Sequence, residues 1–373
     1  MDCWLTFVRE TEINGDPILP FLVEGPLTWH SAFIVSPSRT VAIVGAYDKK
    51  AVEDTAAYDQ VLDYVEGIRP AFLEAMKSLS PKSIAVNYSQ ESEICDGLTH
   101  GMFLTLHDML SEIGLEKRLV SAQKLVSSLR QRKTPGEIKC IRRAIAVTEA
   151  IFQAVARFIQ PGRTEEEIAD FVRRHVEEAG LEFAWNPRTC PAVFTGPTTA
   201  EAHYNPTERK VEPGHVVNMD FGVKVDGYCA DLQRSFYVRG KGESCVPPDV
   251  KKGFDTIVRA IECSRERLRP GEKGLEVDRV ARQVLAEAGY EGFPHGLGHQ
   301  VGRFAHDGTA LLGPAWEKYA HKPFEPIETG MVFTLEPRLK VPGRGVVTIE
   351  EMLLVTDDGA EYLSTPQRDV IMI

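Results

Sequence analysis

Apolar and polar positions follow two rhythms along the first third of the chain. Ala32–Val35, Val41–Ala46 and Ser83–Tyr88 are short, β-branched-rich runs of strand length, whereas Ile68–Leu79 and Met102–Ile113 space their apolar residues three and four apart. Strands alternating with helices to about Val120 predict a small α/β unit with a mixed sheet. After it, Thr134-Pro135-Gly136-Glu137 has the form of a helix start: Thr134 can cap, Pro135 suits the first turn, and Glu137 can reach back. Ile138, Ile141, Ile145, Phe152, Val155 and Ile159 then make one buried stripe. A boundary is expected near Arg132, giving domains 1–132 and 133–373. The basic run Arg130-Gln131-Arg132-Lys133 between them is expected to be a solvated connector.

The second region repeats itself. Pro161-Gly162, Glu167-Ile168, Phe171, Val176 and Ala179-Gly180 recur as Pro270-Gly271, Glu276-Val277, Val280, Leu285 and Ala288-Gly289, each offset by 109 residues. Both copies predict capped amphipathic helices ending in a left-handed glycine. A constant offset over this length points to an internal duplication, so this region is expected to contain two similar halves about an approximate two-fold axis.

Each half also carries strand-like segments with acids in apolar surroundings. Val216–Phe221 and Tyr228–Leu232 flank Asp226-Gly227, a dipeptide suited to the positive φ angles of a tight hairpin turn. With that turn, Val225 faces Tyr228, Gly222 faces Asp231, and Asp220 lies diagonal to Asp231 on the same face. In the second half, 331–336 and 346–354 read as strands containing Glu336 and Glu350, with Gly343 and Gly345 between them. Two hairpins contributing two acids each make a four-carboxylate pocket. Four neighbouring carboxylates do not all ionise unaided, and a pair of divalent cations resolves the repulsion.

Composition narrows the setting of this chemistry. A chain of 373 residues with 43% hydrophobic and 26% charged residues fits a two-domain soluble protein. Its seven cysteines are odd in number, scattered and never in a C-x-x-C pair, which argues against a disulfide framework and a thiolate zinc site. Cytoplasmic location is therefore expected. No apolar run has the length to cross a bilayer, and Met1-Asp2-Cys3-Trp4 does not begin like an export signal. A net charge of −11 disfavours nucleic acid as a partner.

A nitrogen ligand would tune the acidic pocket toward transition metals. His295, His299 and His306 fall within twelve residues, and His203 lies upstream. With these residues in place, the region from about Thr134 to Ile373 resembles the pita-bread metallopeptidases, which include methionine aminopeptidase, aminopeptidase P and prolidase. The first region resembles the creatinase and prolidase N-terminal domain, shortened at its start. The resemblance implies an α/β (α+β) architecture: a pita-bread C-terminal domain of two pseudo-symmetric halves behind a smaller creatinase-type α/β domain.

It further implies metal ligands at Asp220, Asp231, His299, Glu336 and Glu350, with Asp231 and Glu350 bridging two divalent ions (Mn, Co or Zn). His295, His306 and His203 match the family's substrate-contacting or proton-shuttling histidines. The implied activity is hydrolysis of the amide bond preceding proline, as an Xaa-Pro dipeptidase or aminopeptidase, by a metal-bridging hydroxide with Glu336 as general base. The implied partners are a short peptide with proline at its second position and a second copy in a homodimer. A metal-dependent hydrolase or lyase acting on a small non-peptide compound is the alternative, as is a non-catalytic pita-bread binding protein. One departure stands out: proline-directed members mostly carry arginine two residues before the second Glu ligand, where this chain has Thr348, and Glu351 stands where Asp is common.

Overall fold

A computed structural model describes residues 2–198 and 205–373. The chain divides into two compact units, Met1–Leu129 and Arg130–Ile373.

The first unit is built on strands β1 (Cys3–Val8), β2 (Ser31–Val35), β3 (Thr40–Gly45), β4 (Gln60–Tyr64), β5 (Ile84–Val86) and β6 (Leu119–Ser121) in the order β4-β3-β2-β1-β5-β6. The β1–β2 and β2–β3 pairs are antiparallel; β3–β4, β1–β5 and β5–β6 are parallel. The sheet is therefore mixed, as the alternation predicts. Its central strand, β1, escapes sequence detection because Leu5, Phe7 and Val8 are all buried, leaving no period-two alternation to mark it. Helices α1 (Lys49–Asp54), α2 (Arg69–Leu79) and α3 (His100–Ser111) accompany the strands, and α4 (Gln123–Gln131) ends the segment.

The second unit opens with α5 (Pro135–Phe158), whose start carries the full capping box between Thr134 and Glu137. Ile141, Ile145, Phe152, Val155 and Ile159 are buried, as the stripe requires. Helix α6 (Glu165–Glu178) is followed by β7 (Glu182–Phe183), β8 (Ala192–Thr195), β9 (Val216–Phe221), β10 (Val223–Val225), β11 (Tyr228–Cys229) and β12 (Leu232–Tyr237). Then come α7 (Pro248–Arg267), α8 (Gly274–Glu287), β13 (Val332–Leu335), β14 (Arg338–Val341), β15 (Gly345–Thr348), β16 (Glu351–Val355), β17 (Ala360–Tyr362) and β18 (Ile371–Met372).

The duplication is structural. Helices α6 and α8 keep the 109-residue offset at both ends. The αL glycines Gly162, Gly180, Gly271 and Gly289 all have positive φ. The copies differ at their starts: Thr164 caps α6, but Lys273 gives α8 no side-chain cap. Further on the offset becomes 116, relating Gly214 (φ 88°) to Gly330 (φ 88°) and Asp220 to Glu336. Past the turns it is 119, relating Asp231 to Glu350. The second half has thus absorbed extra residues before its first strand and within its turn.

One apolar core, with α5 and α6, lies behind β9 and β12; another, with α7 and α8, lies behind β13 to β16. Val217, Met219 and Phe221 belong to the first core, and Phe333, Leu335, Leu339, Val347 and Ile349 to the second. Strand alternation turns the intervening residues, Asn218, Asp220, Gln233, Glu336, Thr348 and Glu350, away from these cores.

Candidate metal centre

The first hairpin has the register anticipated. Val225 pairs with Tyr228 and Lys224 with Cys229, and on the far side Leu232 pairs with Phe221 and Gln233 with Asp220. Between these ladders Gly222 lies opposite Asp231. A Cβ on Gly222 would fall 1.9 Å from the Ala230 carbonyl oxygen, so only glycine permits this approach. The Asp231 N–H leaves the ladder and donates to Met352 Sδ at 3.2 Å. The second hairpin differs in register: Leu335 pairs with Glu351 and Arg338 with Thr348, which leaves Glu336 directly opposite Glu350, whereas Asp220 lies diagonal to Asp231.

His299 arrives on a segment laid along β13. Its N–H donates to Thr334 Oγ1 (3.1 Å), its carbonyl accepts from the Thr334 N–H (2.9 Å), and the Glu336 N–H donates to the Leu297 carbonyl (2.8 Å). Gly298 allows the contact, since a Cβ there would meet the Thr334 oxygen at 1.9 Å. His299 Nε2 lies 3.7 Å from Asp231 Oδ2, 3.5 Å from Glu336 Oε1 and 3.9 Å from Glu350 Oε1. Asp231, His299 and Glu350 each offer a ligand atom within 4.8 Å of the others. Asp220 completes the cluster, close enough for its charge to raise the Asp231 carboxyl.

This cluster is electrostatically frustrated on its own. Burial pushes the Asp220 carboxyl up to about 7. Burial, and then the charges of Asp220 and Glu336, hold Asp231 well above the carboxylate range. Glu336 is raised by burial and Asp220; Glu350 is raised by burial and then by Asp231, Glu336 and Asp220. Asp220 Oδ1 and Glu350 Oε2 are buried and have no hydrogen-bond partner among the described residues. Orphaned carboxylate oxygens beside an imidazole are a donor set that divalent transition-metal ions satisfy.

The histidines differ in setting. The His306 ring packs edge-on against His299, with centroids 4.0 Å apart. His295 is half-buried beside Phe293, its Nδ1 2.8 Å from the Gly296 carbonyl, and desolvation pushes its imidazolium down to about 4. Its backbone is fixed by Arg282, which donates to the His295 carbonyl at 2.5 Å while its guanidinium pairs with Asp278. His203 lies outside the described residues. Trp185 packs against the core of the first half and donates to the Thr189 carbonyl at 3.1 Å.

Two features correct or extend what the sequence suggests. The basic run at 130–133 is no solvated connector: Arg130 and Lys133 are 3% and 7% exposed. Arg130 Nε donates to Asp307 Oδ1 (2.6 Å), Lys133 Nζ donates to the Asp307 carbonyl (3.1 Å), and the Arg303 N–H donates to Asp307 Oδ2 (2.6 Å). The run therefore anchors the loop carrying His306, an acid distant in sequence having decided its burial. The residues missed altogether lie on β12. Arg234 donates to the carbonyls of Gln233 and Glu350 (2.9 Å each) and pairs with Glu351 at 3.2 Å. Gln233 Nε2 donates to Glu336 Oε2 at 3.3 Å. Gln233, Arg234 and Ser235 are consecutive in a strand buried along its whole length, and their run carries no strand alternation that marks them.

Pseudo-symmetric hairpins converging on a cluster of acids and an imidazole define a pita-bread fold with a candidate metal centre. Residues 139–357 match the model of metallopeptidase family M24. A probable dipeptidase of Mycobacterium tuberculosis is 30% identical over 330 residues, spanning 87% of this chain and 80% of that protein. The Xaa-Pro dipeptidase of Pyrococcus horikoshii is 28% identical over 256 residues, 68% of each chain. The solved structure of an X-Pro aminopeptidase from Thermotoga maritima superposes with a TM-score of 0.80 at 24% identity, covering 100% of this chain and 98% of that one. The chain belongs to metallopeptidase family M24 and is a metallopeptidase.

Proposed function

We propose that this metallopeptidase hydrolyses the amide bond preceding proline in short peptides, using two divalent ions. Asp220, Asp231, His299, Glu336 and Glu350 would hold them, with Asp231 and Glu350 shared between the two. The observation that carries the proposal is the convergence of four raised carboxyls on one imidazole, with two carboxylate oxygens left unsatisfied. Ions bound there would supply a water acidified toward neutral pH and a Lewis acid for the scissile carbonyl.

The chain's own groups would do the rest. Glu336 acts as general base, one oxygen held by Gln233 and the other 3.5 Å from His299. His306, packed on His299, steadies the tetrahedral oxygen or the leaving amine. His295 must carry its proton on Nδ1 to donate to Gly296, which leaves Nε2 a lone-pair acceptor. That tautomer suits a substrate N–H and not an oxyanion. His203 keeps the role of a further substrate-contacting histidine.

Relatives named as an X-Pro aminopeptidase and an Xaa-Pro dipeptidase support proline at the second position of the substrate. Seven unpaired cysteines support a cytoplasmic setting. The proposal extends to a homodimer, which light scattering tests. For the activity, chelator-stripped protein is assayed with added Mn²⁺, Co²⁺ or Zn²⁺ on Xaa-Pro dipeptides and longer peptides. Metal-restored cleavage before proline is expected; metal binding without cleavage of any such peptide contradicts it.

A further inference from the structure

Gln233 and Thr348 come from the two different halves and meet beside the acid cluster. They are 7% and 3% exposed. Thr348 Oγ1 lies 3.1 Å from Gln233 Oε1, and Gln233 Nε2 lies 3.3 Å from Glu336 Oε2. We propose that Gln233 and Thr348 form a neutral hydrogen-bonded pair that fixes the direction of the Glu336 carboxylate, and so act together as positioning residues for the metal centre. The inference rests on the assignment of Glu336 to that centre.

Hydrogen-bond polarity leaves one arrangement. A carbonyl oxygen only accepts, so the Thr348 hydroxyl must donate to Gln233 Oε1. The amide is thereby oriented with its NH₂ toward Glu336; the reverse orientation would set an amide oxygen against a carboxylate. The Gln233 backbone carbonyl in turn accepts from the Glu350 N–H (3.1 Å), so this one residue touches both acids of the second hairpin.

Thr348 is itself held firmly. Its carbonyl accepts from Ser235 Oγ (2.7 Å) and Asn218 Nδ2 (3.1 Å), and its N–H donates to Ser235 Oγ (3.3 Å). The backbone of Gln233 is fixed by its pairing with Asp220 and by the bond from Glu350. The relay therefore starts from an immobile hydroxyl and ends on one oxygen of Glu336, leaving Oε1 on the His299 side. Both partners are neutral. They orient the carboxylate without adding positive charge beside a site that collects cations, which an arginine at position 348 would do.

The test uses full-length protein stripped of metal, with Mn²⁺ binding followed by calorimetry and kinetics on an Xaa-Pro dipeptide after reloading. Thr348→Val keeps the shape and removes the donor; Thr348→Ser keeps the donor; Gln233→Met removes the amide. Thr348→Val and Gln233→Met are each expected to weaken Mn²⁺ binding and lower kcat about 10–100-fold, with KM little changed. Thr348→Ser restores both properties, and the double variant is no worse than either single one, because the two residues act as a unit. Unchanged Mn²⁺ affinity in Thr348→Val, equal impairment of the Ser and Val variants, or additive losses would each overturn the proposal. Should the parent protein cleave no Xaa-Pro peptide, the substrate assignment fails, while the Mn²⁺ isotherms still decide the pair.

Discussion

Gln233 and Glu350 are joined by an antiparallel bridge, in which the Glu350 N–H donates to the Gln233 carbonyl at 3.1 Å. Since Gln233 also pairs with Asp220, this backbone contact fixes an acid of the first half against an acid of the second. The acid cluster is therefore assembled by the fold, and the repulsion among its members is carried by the folded protein.

That repulsion has a measurable sign. The folded-state carboxyls are raised above their unfolded values, so their contribution to the stability of metal-free protein is full below about pH 4 and is lost as pH rises, through about 7 for Asp220. Asp220→Asn removes one charge from the cluster. Thermal unfolding of metal-free protein from pH 4 to 8 is expected to show the parent losing stability relative to Asp220→Asn as pH rises, while the variant loses Mn²⁺ affinity.

Arg234 is 5% exposed and ties β12 to the start of β16 through the Glu350 carbonyl and the buried Glu351. Replacing it by Met leaves Glu351 without its cation, at a cost of about 3–5 kcal/mol. Urea unfolding measures this. Arg234→Met combined with Glu351→Gln is expected to recover part of the loss, because the stranded charge is then gone.

His295 titrates in the opposite sense to the carboxyls. Burial holds its folded-state value near 4, whereas an unfolded chain protonates it near 6.5. Its contribution is present above about pH 6.5 and lost as pH falls through 4, amounting to about 3 kcal/mol. Between pH 6.5 and 4, the parent's denaturation midpoint is expected to fall relative to that of His295→Phe. Taking the difference between the two proteins cancels the carboxylates they share.

Gly298→Ala would place a Cβ 1.9 Å from the Thr334 oxygen and push the His299 segment off β13. A stability loss of about 1–3 kcal/mol is expected from the overpacking. Because the displaced segment carries His299, calorimetry is expected to show weaker Mn²⁺ binding as well.

Much of this architecture was legible in the residues. The Asp226-Gly227 turn determines which residues face each other on the first hairpin, so the placement of Asp220 relative to Asp231 follows by counting. The 109-residue repeat exposes the two halves because α6 and α8 kept the same length. The counterpart relation of Asp220 to Glu336 was hidden by the change of offset to 116. Arg130 was misjudged because a basic run is normally solvated, and the Asp307 that buries it lies 177 residues away. Gln233 and Arg234 were missed because their significance comes from strands of the other half, which no local pattern in β12 reveals.

The central claim, a two-ion centre serving peptide hydrolysis, is tested most directly by titrating metal-free protein with Mn²⁺ while measuring both bound metal and Xaa-Pro dipeptide cleavage. The account predicts activity that reaches its plateau at two bound ions per chain in the parent and is absent from Asp231→Asn. Full cleavage by metal-free protein, or two ions bound with no cleavage before proline, would contradict it.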